Sequence, residues 1–176
     1  ALRQMPSGVG EAAITALDGK IYVAGGYDTR PTFQIYDIAT DTWTTGQFVS
    51  TDALGMSLTL ASDRIIGVFG EGLSDDDVGL SVWGGPNWHD TVEMTLFGLA
   101  QSRAMEVGWL GTSGLGFAVY RDQAQTGAFQ WAFLNGGGWR RQPEVFLRGL
   151  GKLVQAEARI VPGTSTVLML MLDDAG

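Results

Sequence analysis

Short apolar runs punctuated by turn residues recur along the whole chain. In "AAITALDGKIYVAGG" (residues 12–26) one apolar run leads into Asp18-Gly19 and a second run follows. Asp-Gly between two apolar runs is a strong hairpin signal, because the tight turn needs backbone angles that these residues adopt at low cost. "TFQIYDIATDTW" (residues 32–43) carries Phe33, Ile35, Tyr36 and Ile38, then turns through Thr40-Asp41. "LTLASDRIIGVFGEGLSDDDVGLSVW" (residues 58–83) repeats the scheme, with turns at Ser62-Asp63 and over Ser74 to Val78. The runs are too short for helices and their spacing matches antiparallel strands, so the pattern predicts an all-β sandwich, barrel or radial array of sheets.

The pattern also repeats. Trp88 and Trp139 lie 51 residues apart (139 − 88), and the same shift carries Ile66, Val68, Phe69 and Glu71 onto Phe117, Val119, Tyr120 and Asp122. A second shift of 51 reaches Leu168, Leu170, Met171 and Asp173, and the preceding strand follows through Leu58, Trp109 and Ile160. An earlier copy stands 45 residues upstream, Val23 before Val68 and Trp43 before Trp88. A unit of about 45–50 residues with four short strands matches one blade of a β-propeller.

The first unit resembles a kelch repeat. "GKIYVAGGYD" (Gly19 to Asp28) supplies the double glycine Gly25-Gly26, and "YDIATDTW" (Tyr36 to Trp43) supplies the Tyr and Trp. The later units depart from it, with Gly70-Glu71, Arg121-Asp122 and Leu172-Asp173 in place of the double glycine. Their "GGPNW" and "NGGGW" segments are similar to blades of bacterial surface propellers. The resemblance implies four-stranded blades and a binding role. The copper-oxidase branch of the kelch superfamily would require a cysteine, and the chain has none.

The expected architecture is therefore an all-β, propeller-like array of about 3.5 four-stranded antiparallel blades, at about 8–48, 53–97 and 104–147 with a half blade at 155–176. "EARIVP" and "TVLMLML" read as the two inner strands of the last unit. An apolar strand left with a free edge invites association. Further chain, another copy, or residues 1–7 returning to add a strand could complete it. The chain starts at Ala1, which fits a removed leader or a piece of a longer protein.

Composition narrows the partners. Net charge is −8, with 19 acidic and 11 basic residues, which disfavours nucleic acid and anionic surfaces. No run of 18 apolar residues occurs, so no membrane-spanning helix is expected. The absence of cysteine excludes disulfides, a thiolate zinc site and a cysteine nucleophile.

Candidate chemistry is sparse. His89 is the single histidine, so a conventional transition-metal site is not expected, and the residue reads as an exposed position after the Trp88 turn. Asp75, Asp76 and Asp77 crowd one loop, which reads first as a charged hairpin tip; calcium is the cation such oxygens would suit, but the further ligands it needs are not evident. No other cofactor is expected. Glu71, Asp122 and Asp173 recur in register, which suggests a structural role at a strand end over paired carboxylate catalysis. Trp43, Trp88 and Trp139 recur once per unit and read as packing elements, whereas Trp131 falls outside that series and reads as a surface contact.

The function expected is a non-catalytic module that binds a protein or glycan through loops held on rigid blades. The binding candidates are Tyr27, Asp28, Arg30, Asp75, Asp76, Asp77, Asn87, His89, Trp131, Asn135, Arg140 and Arg141. A structural subunit of an extracellular assembly, associating through the apolar last strand, is one alternative, and a sialidase-like glycan-processing enzyme is another. An extracellular or cell-surface setting is favoured.

Overall fold

The computed structural model describes residues 3–9, 12–25, 32–48, 53–71, 78–95, 105–111, 113–121, 127–136, 138–161 and 163–174. Among them there is no helix, and so none long and apolar enough to cross a membrane. The strands form consecutive antiparallel sheets, each built by simple up-and-down pairing.

The first sheet contains β1 (Ala13–Leu17), β2 (Lys20–Gly25), β3 (Thr32–Asp37) and β4 (Thr42–Gly46). The second contains β5 (Ala53–Ala61), β6 (Arg64–Glu71), β7 (Val78–Trp83) and β8 (Trp88–Thr95). The third contains β9 (Met105–Leu110), β10 (Leu115–Tyr120), β11 (Ala128–Asn135) and β12 (Gly138–Arg141), with the short β13 (Val145–Phe146) also paired to β11. The fourth is the hairpin of β14 (Leu153–Ile160) and β15 (Val167–Asp173). The chain is thus an all-β protein of propeller type, and its described residues form three blades of four strands, the third joined by β13, and a two-stranded one.

The first turn behaves as its residues require. Asp18 and Gly19 both take positive φ, 50° and 72°, the backbone of the tight hairpin turn that suits twisted strands. Ser62 does the same at 55° in the matching turn of the second blade.

Each blade is apolar on both faces, and successive blades stack face to face. The residues of the second strand show this directly. Ile66 and Val68 of β6 join Ala118 and Tyr120 of β10 in one core, while Phe117 and Val119 of β10 join Leu153, Ala156 and Ala158 of β14 in the next. Tyr22 and Ala24 of β2 face Ile65 and Trp83 of the second blade. We call the side turned to the following blade the forward face and the opposite side the rear face. Gly116 is a point of close approach, since a Cβ there would sit 2.9 Å from the Ile66 side chain.

The recurring tryptophans hold equivalent places. Trp43 pairs across the ladder with Tyr36, Trp88 with Trp83 and Trp139 with Leu134, all on rear faces. Trp88 lies 5.2 Å from Phe33 of the first blade and 5.6 Å from Trp83, centroid to centroid. Trp43 lies under residues 3–9, whereas Trp88 and Trp139 are packing elements between sheets. Trp83, outside the sequence register, belongs to the same layer and is 5% exposed.

Two details of the register differ from the sequence arithmetic. Leu17 pairs with Lys20 and Ala61 with Arg64, so Ala24, not Val23, is the counterpart of Val68. One residue decides the face, because alternate side chains point to opposite sides. On the first strands, Gly67 pairs with Leu58, Ala118 with Val107 and Met169 with Ala158. Leu58 therefore corresponds to Val107 and Ala158, two residues before Trp109 and Ile160. The hairpin turns lengthen along the chain and absorb the shift, and a slip of two keeps the same face.

Residues 3–9 do not complete the last blade. They lie across the rear face of the first, where Trp43 donates its indole N–H to the Arg3 carbonyl at 3.1 Å. The Ser7 backbone and the Gln34 side chain exchange bonds of 3.3 and 3.1 Å. Asp41 accepts from the Arg3 amide at 3.0 Å and from the Tyr36 hydroxyl at 2.6 Å, and that hydroxyl bond leads in holding the Asp41 carboxyl below its ordinary range.

The forward face of the fourth blade is open. By ladder position Leu168 is the counterpart of Ile66 and Phe117, yet it is 62% exposed where they are 0% and 7%. Leu170 (71%) and Leu172 (58%) continue the row. The same side-chain type at the same place in the repeat should therefore have opposite energetic weight. Ile66→Ala is expected to lower unfolding free energy by about 2–5 kcal/mol, and Leu168→Ala to change it by no more than ~0.5 kcal/mol. Urea unfolding of the two variants measures both.

Candidate functional site

Antiparallel connectivity sorts the strand ends into two rims. The ends at Gly25/Thr32, Glu71/Val78 and Tyr120/Ala128 share one rim, and Trp83/Trp88 and Asn135/Gly138 share the other with the β5–β6 and β9–β10 turns. The candidates Tyr27, Asp28, Arg30, Asp75, Asp76 and Asp77 lie outside the described residues, and with them the suggested calcium loop. Among the described residues no group of three or more His, Asp or Glu is arranged to hold a metal.

The remaining candidates fall at the second rim and between blades. Asn87 is exposed just before β8, and His89 is exposed within it, its Nδ1 2.9 Å from Asp90 Oδ2. Asn135 ends β11, while Arg140 and Arg141 lie exposed on the outer strand β12. Trp131 departs from the expected free surface contact. It is half-buried against the core between the third and fourth blades, and its indole N–H donates to the Pro143 carbonyl at 3.1 Å.

At this rim the second and third blades enclose a cleft of about 390 Å³. Asn135 lines it together with Asp63 and Arg64 of the β5–β6 hairpin, Asp90 of β8 and Trp109 of β9. Its polar groups are largely paired with one another. Arg64 Nε donates to Asp63 Oδ1 at 2.9 Å and Nη2 to Oδ2 at 3.3 Å, a forked ion pair that holds the Asp63 carboxyl below its ordinary range. Asp90, at positive φ of 51°, meets His89. Trp109, half-buried, packs on the core between the second and third blades and is among the residues lining the cleft.

A second polar group lies at the inner edges of the blades. Val68, Val119 and Leu170 pair with Ser57, Glu106 and Glu157, so these three occupy one structural position on successive first strands. Ser57 Oγ donates to Glu106 Oε2 at 2.9 Å and also accepts the Val107 amide at 3.4 Å. Arg159 Nη1 lies 3.5 Å from Glu106 Oε1, and its Nη2 lies 3.8 Å from Glu157. Burial raises the Glu106 carboxyl above its ordinary value, with Ser57 and then Arg159 pulling the other way. The sequence reading overlooked Glu106 because the 49-residue step from Ser57 to Glu106 (106 − 57) differs from the 51 of the second strands.

Asp173, one of the three recurring carboxylates, accepts the Gly151 amide at 2.6 Å and so ties down the segment entering β14. Its register mate Asp122 lies outside the described residues. Arg121, 6% exposed, donates from Nη1 to the Leu153 carbonyl at 3.0 Å across the same blade boundary.

Residues 10–47 match the Kelch motif family, which covers the first blade. No curated protein matches the chain. Among solved structures, the Bacteroides ovatus xyloglucan PUL GH43B protein superposes with a TM-score of 0.55 at 11% identity, over 86% of this chain and 34% of that one. The Bombyx mori GH32 beta-fructofuranosidase BmSUC1 superposes with a TM-score of 0.50 at 10% identity, over 91% of this chain and 42% of that one. The chain thus spans about a third and two fifths of their lengths. At such identities the likeness shows the fold alone.

The Glu106 shift has a defined pH signature. A carboxyl raised in the folded state binds its proton more tightly there than in the unfolded chain, so stability falls as pH rises from the ordinary value of 4.5 through the raised one. Glu106→Gln removes that ionisation while keeping an acceptor for Ser57. Urea unfolding at pH 4 and pH 7 is expected to show a smaller loss of stability over that interval in Glu106→Gln than in the parent chain.

Proposed function

We propose that this chain is a non-catalytic β-propeller module that binds a protein or a glycan through side chains held at the strand ends. The cleft between the second and third blades is the observation that supports this reading. It gathers Asn135, Trp109 and a fixed ion pair on strand ends and tight turns, which is the rigid support a recognition surface needs. Glu106, whose raised carboxyl would suit an acid catalyst, is already engaged by Ser57 and Arg159. A glycan array combined with product analysis on the same ligands tests the proposal. Retention of a ligand without turnover is expected. Product formation that disappears in Glu106→Gln would replace this reading with the glycan-processing one.

The open row of Leu168, Leu170 and Leu172 favours a second role alongside the first, association through the last hairpin. Sedimentation velocity across a concentration series is expected to show oligomers that Leu170→Asp reduces to monomer. A parent chain that stays monomeric at all concentrations would remove this role.

A further inference from the structure

We infer that the cleft between the second and third blades is a binding site for a neutral oligosaccharide, with Trp109 as its stacking platform. This rests on the binding-module reading and names the ligand class. Three features of the cleft carry it.

The first is its wall. Trp109 is half-buried against the core between the blades and is among the residues lining the cleft. An indole face is negative at its centre and meets the weakly positive C–H bonds on the face of a pyranose ring. That contact suits a sugar better than it suits a charged or a flexible apolar ligand.

The second is the charge balance. Asp63 and Arg64 neutralise one another through two bonds, which leaves the Asp90 carboxylate, 2.9 Å from His89, as the one uncompensated charge among the cleft's described residues, a negative one. The cleft therefore offers fixed donors and acceptors with little unbalanced charge to attract an anion, in a protein whose net charge is −8. Hydroxyl groups donate and accept at once. They can donate to carboxylate oxygens and accept from the guanidinium edge without adding a charge of their own to the cleft.

The third is shape. The volume of about 390 Å³ lies toward the lower end of the range for small-molecule sites, ~300–1,000 Å³. Gly136 lies at its border, and a Cβ there meets nothing within 4 Å, so the border is open space with no neighbouring side chain. A long saccharide can enter by one end and leave its remaining units in solvent.

The experiment is isothermal titration calorimetry of the intact chain with cellohexaose and xylohexaose as neutral probes and sialyllactose as the anionic control. At least one neutral probe is expected to bind, with the control about tenfold weaker or undetected. Trp109→Ala should weaken the neutral probe about tenfold, the scale of one lost aromatic partner. Because Trp109 also packs on the core, Gly136→Phe provides an independent variant that sets a bulky side chain at the border of the cleft, where a Cβ meets no neighbour, and it should weaken neutral-probe binding while urea unfolding stays unchanged. Neutral binding left unchanged by Gly136→Phe would place the sugar elsewhere and overturn this site, while the module reading would stand. No neutral binding at all overturns the ligand class. A specific protein captured by the same chain would then preserve the module reading without this inference.

Discussion

Each full sheet in this protein is apolar on both faces, and a sheet of that kind is stable only when something covers each side. The stacking of one blade's forward face on the next blade's rear face is the contact on which the remaining features depend. It fixes which residues of β6 and β10 can be large. Ile66 reaches Gly116 because the residue opposite it has no side chain, and Phe117 and Val119 are received by Ala156 and Ala158. Large against small at successive boundaries lets the sheets approach closely and interlock. The tryptophans of the outer strands close the same layers toward the periphery.

The two ends of the stack meet this requirement differently. On the first blade, Tyr36 and Trp43 turn to the rear, where no sheet lies among the described residues, and residues 3–9 lie across that face through hydrogen bonds to Trp43, Gln34 and Asp41. This is a polar cover, suited to a face that carries Gln34 and the Tyr36 hydroxyl. On the last hairpin the forward face splits lengthwise. Gln155, Glu157 and Arg159 of β14 are polar, and Leu168, Leu170 and Leu172 of β15 are apolar and exposed. The polar half continues the series that begins at Ser57 and Glu106 along the inner edges. At Leu168 and Leu170 the apolar half repeats positions that are buried in every earlier blade.

Rigid stacking also explains where recognition chemistry collects. Side chains within the sheets are committed to packing, so polar side chains collect at the rims and along the inner edges. The cleft between the second and third blades forms because the hairpin carrying Asp63 and Arg64 and the longer turn after Trp109 stand side by side, brought together by blades that touch further in. Glu106 illustrates the cost of polarity inside the stack: burial raises its carboxyl, and Ser57 and Arg159 only partly offset that.

Much of the fold was legible from residue pattern alone. Asp18-Gly19 dictates its turn, and the recurrence of Trp43, Trp88 and Trp139 marks equivalent packing positions, because hairpin angles and alternation along a strand are local properties that residue type controls. Which face a residue presents was less secure. Val23 and Ala24 exchange places in the comparison with Val68 once the turn is counted correctly, since one residue inverts the side. The candidate site was mostly hidden. Asn135 was visible as a polar residue at a turn, but Asp63, Arg64, Asp90 and Trp109 come from three further strands and turns, and only the stacking of two blades makes them neighbours. Glu106 was concealed for the same reason, its partners lying 49 residues before it and 53 after (106 − 57 and 159 − 106). The sequence by itself determined the strands, their turns and the repeat, because those follow from nearest-neighbour sterics and hydrophobic alternation. Tertiary structure alone decided what meets across the blade boundaries, because that depends on how far the turns let each sheet slide before its side chains interlock.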